Sequence, residues 1–379
     1  MKVRNFSSLI SHMKTEEPVF VLCGPLPPPM TGMASVNSSV VDRLAPRTPI
    51  IINMSRDFAD ISLKSYISKI LRTLLGCLQI LRLTAAQRKS FYSSVDDGLG
   101  GFLTSLLTLS ARVRKCRIIL HHHSYRYLSK PSWQMCLLVR IAGTHATHVF
   151  LCEQMADEFR MIYRRPFHSL ICPNPVSDQK LVDHFSRLWK PRRHSVFTVG
   201  FISNLTFSKG VREFVETVRQ AVAFGINLRA VMAGAAVNTE VQNYLAAAQK
   251  DLGQRLELLG AVRDERKIAF FESIDVLLFP SHGEAFPLVL LEGLLAGCPI
   301  TTYGHGCIPR LGELETAWVL PSTVDFPRAA IAILSDIIES KHSLIDLKWR
   351  AHEEGLALHA ANVAAHELLI HTIIAGERT

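Results

Sequence analysis

The sequence predicts an α/β protein built from two parallel-sheet domains, and three observations carry that prediction. At 379 residues the chain exceeds what one ordinary hydrophobic core serves. Strand-like and helix-like segments alternate along it, which implies parallel sheets covered by helices. The alternation lapses once, over a polar, basic, proline-flanked stretch at 174–194, and a second series then begins.

The first series reads as strand 18–24, helix 33–44, strand 49–54, and a long basic amphipathic helix from about 62 to 89. Helix 101–113, strand 116–120, helix 131–143 with Pro131 in its first turn, and strands 147–152 and 168–173 follow. The second series reads as strand 195–200, helix 209–223, strand 228–234, helix 238–250, strand 256–259 and helix 264–272. Strand 275–281, helix 287–296, strand 299–303 and helices to the end complete it. Two such domains with a cleft between their C-terminal strand edges form a ligand site by construction.

With 48% hydrophobic and 20% charged residues, the composition is that of a folded protein. The eight cysteines are scattered, without a C-x-x-C pair, and predict reduced thiols in a cytoplasm. The N-terminal residues lack a signal-peptide core, and no run approaches a bilayer span. Charge is uneven: residues 1–176 carry a net +12 and the remainder −3, which together make the total of +9. A basic half points to an anionic partner, or else to a surface composition of no consequence. The helix at 62–89, with Lys64, Lys69, Arg72, Arg82, Arg88 and Lys89 among its leucines, has two readings. It is a surface for anionic lipid, or a sheet-covering helix with a basic outer face.

The segment "HGEAFPLVLLEGLLAGCPI" (282–300) carries the chemistry. Pro287 suits a first helical position, and Gly297 followed by Pro299 marks the stop. Glu284 therefore falls in a strand-to-helix loop, and Glu292 inside a helix apolar on all sides and so buried. A buried carboxylate without a partner is expensive, no Lys or Arg lies nearby in sequence, and a ligand diol would serve. The free amides of Leu288 and Val289 offer a phosphate site at the helix start. Diphosphate, diol and a further hydroxylated group together describe a nucleotide sugar.

The segment resembles the E-x7-E motif of glycosyltransferase family four, retaining enzymes of the two-domain, Rossmann-like GT-B fold. "GPLPPPMTGMASV" (24–36) resembles the family's N-terminal glycine-rich loop, "RIILHHHSYRYL" (117–128) its strand ending in a cleft histidine, and "ICPNPV" (171–176) its domain boundary. "TVGFISNLTFSKGV" (198–211) resembles the opening of its donor domain, and "LELLGAV…DVLLFPS" resembles the middle of that domain. The resemblance implies an acceptor-side domain over 1–176, a linker over 177–194 and a nucleotide-sugar domain over 195–355. A helical tail over 356–379 would cross back to the first domain. It assigns Glu292 to the ribose, Glu284 to hydroxyls of the donor sugar, and Lys209 to the diphosphate. Gly32 would allow close approach to the same diphosphate, and Phe286, Pro287, Leu288 and Val289 would complete the donor contacts. Asn204 and Val262 are further candidates. One departure stands out: the family usually has an arginine where this chain has Phe201.

In extended chain His121 and His123 share one side and His122 the other. His123, before Ser124, matches the family's cleft histidine and is expected at the donor sugar, with His121 a weaker candidate. Adjacent histidines cannot converge on one ion, and no D-x-D motif is present, so neither metal nor other cofactor is expected.

The function so implied is transfer of a hexose from a nucleotide sugar to a saccharide acceptor, with retention. The expected acceptor is a growing bacterial surface polysaccharide on a polyprenyl diphosphate, and the expected place is the cytoplasm, peripherally on the inner membrane face. Alternatives are a soluble glycoside-forming enzyme of the same family and a non-catalytic nucleotide-sugar-binding protein. Nucleic-acid binding has no recognised motif here, and neither a G-x-G-x-x-G nor a Walker loop is present.

Overall fold

The computed structural model describes residues 18–28, 32–55, 63–84, 89–192, 194–339 and 344–375, the side chains of 63–65 excepted. The chain divides into two compact units. The first comprises Met1–Phe150, Phe159–Leu170 and Leu368–Thr379, and the second Leu151–Glu158 and Ile171–Glu367.

The first unit contains β1 (Val19–Gly24), α1 (Gly32–Leu44), β2 (Ile50–Asn53), α2 (Leu63–Leu81), β3 (Lys89–Val95) and α3 (Gly98–Val113). It continues with β4 (Arg117–His122), α4 (Arg126–Ser129), α5 (Trp133–Ala142), β5 (Thr147–Phe150), the second half of α6 (Glu153–Tyr163, whose residues to Glu158 belong to the second unit) and β6 (His168–Ile171). Its six-stranded sheet has the order β2-β1-β3-β4-β5-β6. The chain moves one way from β1 to β2 and the opposite way through β3, β4 and β5. Right-handed crossovers therefore put α1 on one face and α2, α3 and α5 together on the other.

The second unit opens with α7 (Gln179–Leu188), β7 (Phe197–Ile202), α8 (Val211–Ala223), β8 (Leu228–Ala233), α9 (Thr239–Leu252), β9 (Leu256–Gly260) and α10 (Glu265–Glu272). It goes on to β10 (Val276–Phe279), α11 (Leu288–Leu295), β11 (Ile300–Tyr303), β12 (Ala317–Leu320), α12 (Phe326–Glu339) and α13 (Leu344–Ala375). Its sheet order is β12-β11-β10-β7-β8-β9. Both sheets are parallel, as the alternation predicts, and both are buried on their two faces, which accounts for apolar strands such as "VLLF".

Four expectations need correction. The helix read across 62–89 stops at Leu81, and Lys89–Val95, "KSFYSSV", is a fully buried strand near the middle of its sheet. Its hydroxyls are satisfied internally: Ser90 Oγ donates to Ile373 O (2.8 Å), and Ser94 Oγ accepts from Asn37 Nδ2 (3.0 Å). Among its described side chains the outer face of α2 is apolar rather than basic, because Lys69 turns to Asp96 (2.7 Å) and Arg72 to Asn53 O (3.2 Å). The segment read as a linker carries α7, whose Leu181, Val182 and Phe185 make a buried stripe under a polar face. Cys152 and Cys307 form a disulfide within the second unit, while the other six cysteines are free thiols. The expectation of reduced cysteines overlooked that pair because 155 residues separate them in sequence.

β12 is a further strand that the sequence reading did not separate from the C-terminal helices. The last residues of α13, from Leu368, belong to the first unit, where Thr372 O accepts from Arg117 (2.8 Å).

Candidate functional site

In the second unit the site is built on the C-terminal ends of β7 and β10. After β7 the chain enters a 3-10 turn, Phe207–Lys209, capped by Thr206 Oγ1, which accepts from Lys209 N (3.2 Å). Gly210 follows at φ 90°, and a Cβ there would lie 2.2 Å from Pro280 O, so only glycine lets the turn rest on the end of β10. His282 N donates to Ser208 O (3.0 Å) and binds the two loops together.

This packing brings Lys209 against Glu284, 75 residues away in sequence, as an ion pair. Ser281 Oγ, fully buried, donates to the same carboxylate oxygen (3.4 Å). The backbone of the Glu284 loop is held from behind. Cys307 N donates to Ala285 O (2.7 Å), and the Cys152–Cys307 disulfide anchors that neighbouring loop. His305 lies in the same loop, and burial lowers its pKa, with His282 adding to the effect and Glu284 opposing it.

Pro287 occupies the N-cap of α11, one position earlier than expected, at φ −74° and ψ 126°. The amides of Leu288 and Val289 then open the helix without intrahelical acceptors. Beneath them Leu290 to Leu295 are all buried, as the apolar pattern predicts, and Glu292 is only 6% exposed.

One premise about Glu292 fails. Lys267, on α10, places Nζ 2.6 Å from Glu292 Oε1 and 3.7 Å from Asp178 Oδ2. The buried carboxylate is thus already neutralised, and burial by itself no longer demands a ligand. Its second oxygen accepts no hydrogen bond among the described residues.

Arg310 is a residue that the sequence reading missed. Its guanidinium stands 5.7 Å from the centre of the Phe286 ring, within the 282–300 segment. Among the described residues it makes neither ion pair nor hydrogen bond, and burial lowers its pKa while Glu313 and Glu153 oppose that. At the expected arginine position Phe201 is a fully buried core side chain, packed on Phe214 and Phe279. Asn204 is exposed beyond β7, and Val262 is half-buried just before α10.

In the first unit the histidine triplet divides as alternation requires. The rings of His121 and His123 lie 3.9 Å apart, and His121 Nδ1 meets Tyr92 OH (2.9 Å). His122 faces the other way, bonded to Tyr127 OH (2.8 Å) and His148 Nδ1 (2.9 Å). Burial holds His122 well below the usual imidazole range and pushes His148 down to about 3, so both are neutral at pH 7. Gly32 is the first residue of α1 and is exposed, with no protein atom within 4 Å of where a Cβ would stand. Among the described residues no three His, Cys, Asp or Glu are grouped to hold a metal ion.

Residues 196–336 match the family described as glycosyl transferases group 1. Among curated proteins, an uncharacterized glycosyltransferase of Methanocaldococcus jannaschii is 29% identical over 129 residues, 33% of this chain and 32% of that protein. A capsular polysaccharide biosynthesis glycosyltransferase, CapM of Staphylococcus aureus, is 26% identical over 150 residues, 38% and 37% of the two chains. The chain thus spans about a third of the length of these relatives. The solved structure of Anabaena HepE in complex with UDP matches with a TM-score of 0.71 at 15% identity, over 94% of this chain and 100% of that one. That likeness establishes the fold. With two parallel six-stranded sheets the chain has the GT-B fold, and residues 196–336 of its second unit are similar to the glycosyl transferases group 1 family.

Proposed function

We propose that the protein is a retaining glycosyltransferase that moves a hexose from a nucleoside-diphosphate sugar to a saccharide acceptor. In this reading the acceptor is lipid-linked, on a polyprenyl diphosphate, and the protein works peripherally at the inner membrane face. The observation that carries the reading is the convergence of Lys209 and Glu284 beside the free amides of α11. As the glycosidic bond breaks, the departing diphosphate gains negative charge, and a lysine with helix-start amides stabilises that charge. Arg310 supplies the second cation that Phe201 cannot. No resident metal is invoked.

Glu284 accepts from hydroxyls of the donor sugar. Glu292 keeps Oε1 on Lys267 and offers Oε2 to the ribose, so the ion pair orients the carboxylate instead of competing with the ligand. His123 and Gly32 are the first unit's candidate donor contacts, by resemblance. Same-face attack, with the leaving phosphate oxygen taking the acceptor's proton, gives retention without a protein nucleophile. HepE, whose structure holds UDP, supports a nucleotide donor, and CapM supports a polysaccharide acceptor.

A thermal-shift panel of nucleotide sugars, followed by donor hydrolysis with the best ligand, tests the proposal. Stabilisation by one nucleotide sugar and its slow hydrolysis are expected. Stabilisation without hydrolysis or transfer points to a binding protein, and transfer to free sugars alone points to a soluble glycoside-forming enzyme.

A further inference from the structure

The first unit carries a large apolar surface that the packing of the described residues leaves uncovered. On α2, Ile67, Ile70, Leu71, Leu74, Leu75 and Leu78 are each 45–59% exposed. These positions recur at helical spacing and form one continuous stripe. Since α3 and α5 lie in the same layer, their outer residues extend the stripe. Leu99 and Phe102 of α3 are 69% and 37% exposed, and the ring of Trp133 on α5, 64% exposed, is 6.3 Å from that of Phe102.

The charges around this surface are arranged to one end. Among the described side chains of α2, the cations Lys69 and Arg72 turn inward to Asp96 and Asn53. Exposed cations instead gather where α2, α3 and α5 finish: Arg82, Arg112, Lys115 and Arg140. Helices that follow parallel strands all end at the edge where those strands begin, so these four residues form a basic rim along one border of the layer. Residues 101–150 contain no Asp or Glu to offset it.

We infer that this face is a membrane-docking surface. The aliphatic stripe of α2, with Phe102 and Trp133, enters the boundary between headgroups and acyl chains, while the rim meets anionic headgroups. An apolar sector bordered by cations is the chemistry of a lipid interface, where aromatic rings and arginine or lysine side chains settle at headgroup level. Among the described residues no helix is long and apolar enough to cross a membrane, so the attachment lies on the surface. The inference deepens the proposed function by naming where a lipid-linked acceptor is met, yet it stands on the first unit alone. It also assigns the main driving force to burial of apolar area, with electrostatics selecting the lipid.

The test is sedimentation of the full chain with vesicles of phosphatidylcholine alone, and of phosphatidylcholine mixed with phosphatidylglycerol. Pelleting is expected with the mixed vesicles, persisting at high salt, and measurable but weaker pelleting with the neutral ones. Leu74→Asp with Leu78→Asp should reduce pelleting at least tenfold, leaving the melting temperature and donor hydrolysis unchanged. Arg82→Glu with Lys115→Glu should remove the preference for anionic vesicles and leave neutral binding intact. Wild-type protein that stays in the supernatant with both vesicles overturns the inference. So does binding that salt abolishes and the leucine variant retains. A dimer in vesicle-free light scattering that the leucine variant dissolves assigns the face to a second copy instead. Pelleting without donor hydrolysis would sink the enzymatic reading and leave the docking surface standing.

Discussion

Each unit has its own sheet of six parallel strands, but the two differ in how they handle buried polarity. The first fills much of its interior with neutral polar groups: Asn37, Ser90, Ser93, Ser94, Tyr127 and the pair His122–His148 are buried and bonded to one another or to backbone. Much of its positive charge stays outside, and α2 leaves its leucines there too. The second unit pairs its inner charges: Lys348–Asp275 is almost fully buried, Lys267–Glu292 has a buried carboxylate and Lys209–Glu284 is half-buried, whereas Lys69–Asp96 is the comparable pair in the first unit. Paired charges are costly to desolvate and gain little net stability, so a domain that keeps three of them invites a functional explanation. Two of the three lie along 284–292, where a donor diphosphate and its sugar would need preset cations and acceptors.

That contrast can be broken in stages. The largest effect is expected at the pair remote from the site. Lys348 Nζ bonds to Asp275 Oδ1 (3.0 Å) and to Ile274 O (3.1 Å), both groups being almost fully buried. Lys348→Met strands Asp275 and should cost about 3–5 kcal/mol in chemical denaturation. A loss below 1 kcal/mol would show the pair to be incidental.

Next comes Glu284→Gln, which keeps the shape but removes the charge. Donor hydrolysis should fall roughly 100-fold in kcat, about 2.7 kcal/mol, with a smaller change in KM. The reverse split would make Glu284 a ground-state binding group.

A third prediction concerns the neutral interior of the first unit. His148 has a folded pKa of about 3, below the ordinary value of 6.5, so the unfolded state binds more protons between those values. Its contribution is fully present above pH 6.5 and is lost as pH falls through that window. Between pH 6.5 and 5 the wild type should lose about 1.6 kcal/mol more than His148→Phe does. Parallel pH profiles for the two proteins would contradict the burial of a neutral imidazole.

The smallest effect is expected at Lys267, the partner of the glutamate proposed to meet the ribose. Lys267→Met frees Glu292 from its fixed orientation and should raise donor KM about tenfold, roughly 1.4 kcal/mol, with kcat within twofold; Lys267→Arg should restore most of it. A change confined to thermal stability would reduce Lys267 to a structural cation.

Much of this arrangement was legible in the sequence, for reasons of periodicity. Strands such as "VLLF" and "ITTY" are buried on both faces and read as apolar runs, and α11 announces its burial through an unbroken apolar surface around Glu292. β3 escaped because three serines mimic a loop when their hydrogen-bond partners lie elsewhere in the chain. α7 escaped because a short helix with three buried residues and many charges resembles a linker. The partners of the glutamates were beyond local reading. Lys267 is 25 residues from Glu292, Lys209 is 75 from Glu284, and Cys152 is 155 from Cys307. Only folding brings such residues together, so the argument that Glu292 lacked a cation could not survive the structure.

The central claim is that the second unit holds a nucleotide-sugar diphosphate between Lys209 and the first amides of α11. Calorimetric titration of the best nucleotide sugar into wild type and Lys209→Met addresses it directly. The account predicts that the variant binds at least tenfold more weakly while a nucleoside without phosphates binds both proteins alike. Equal affinity of the two proteins for the nucleotide sugar would contradict it.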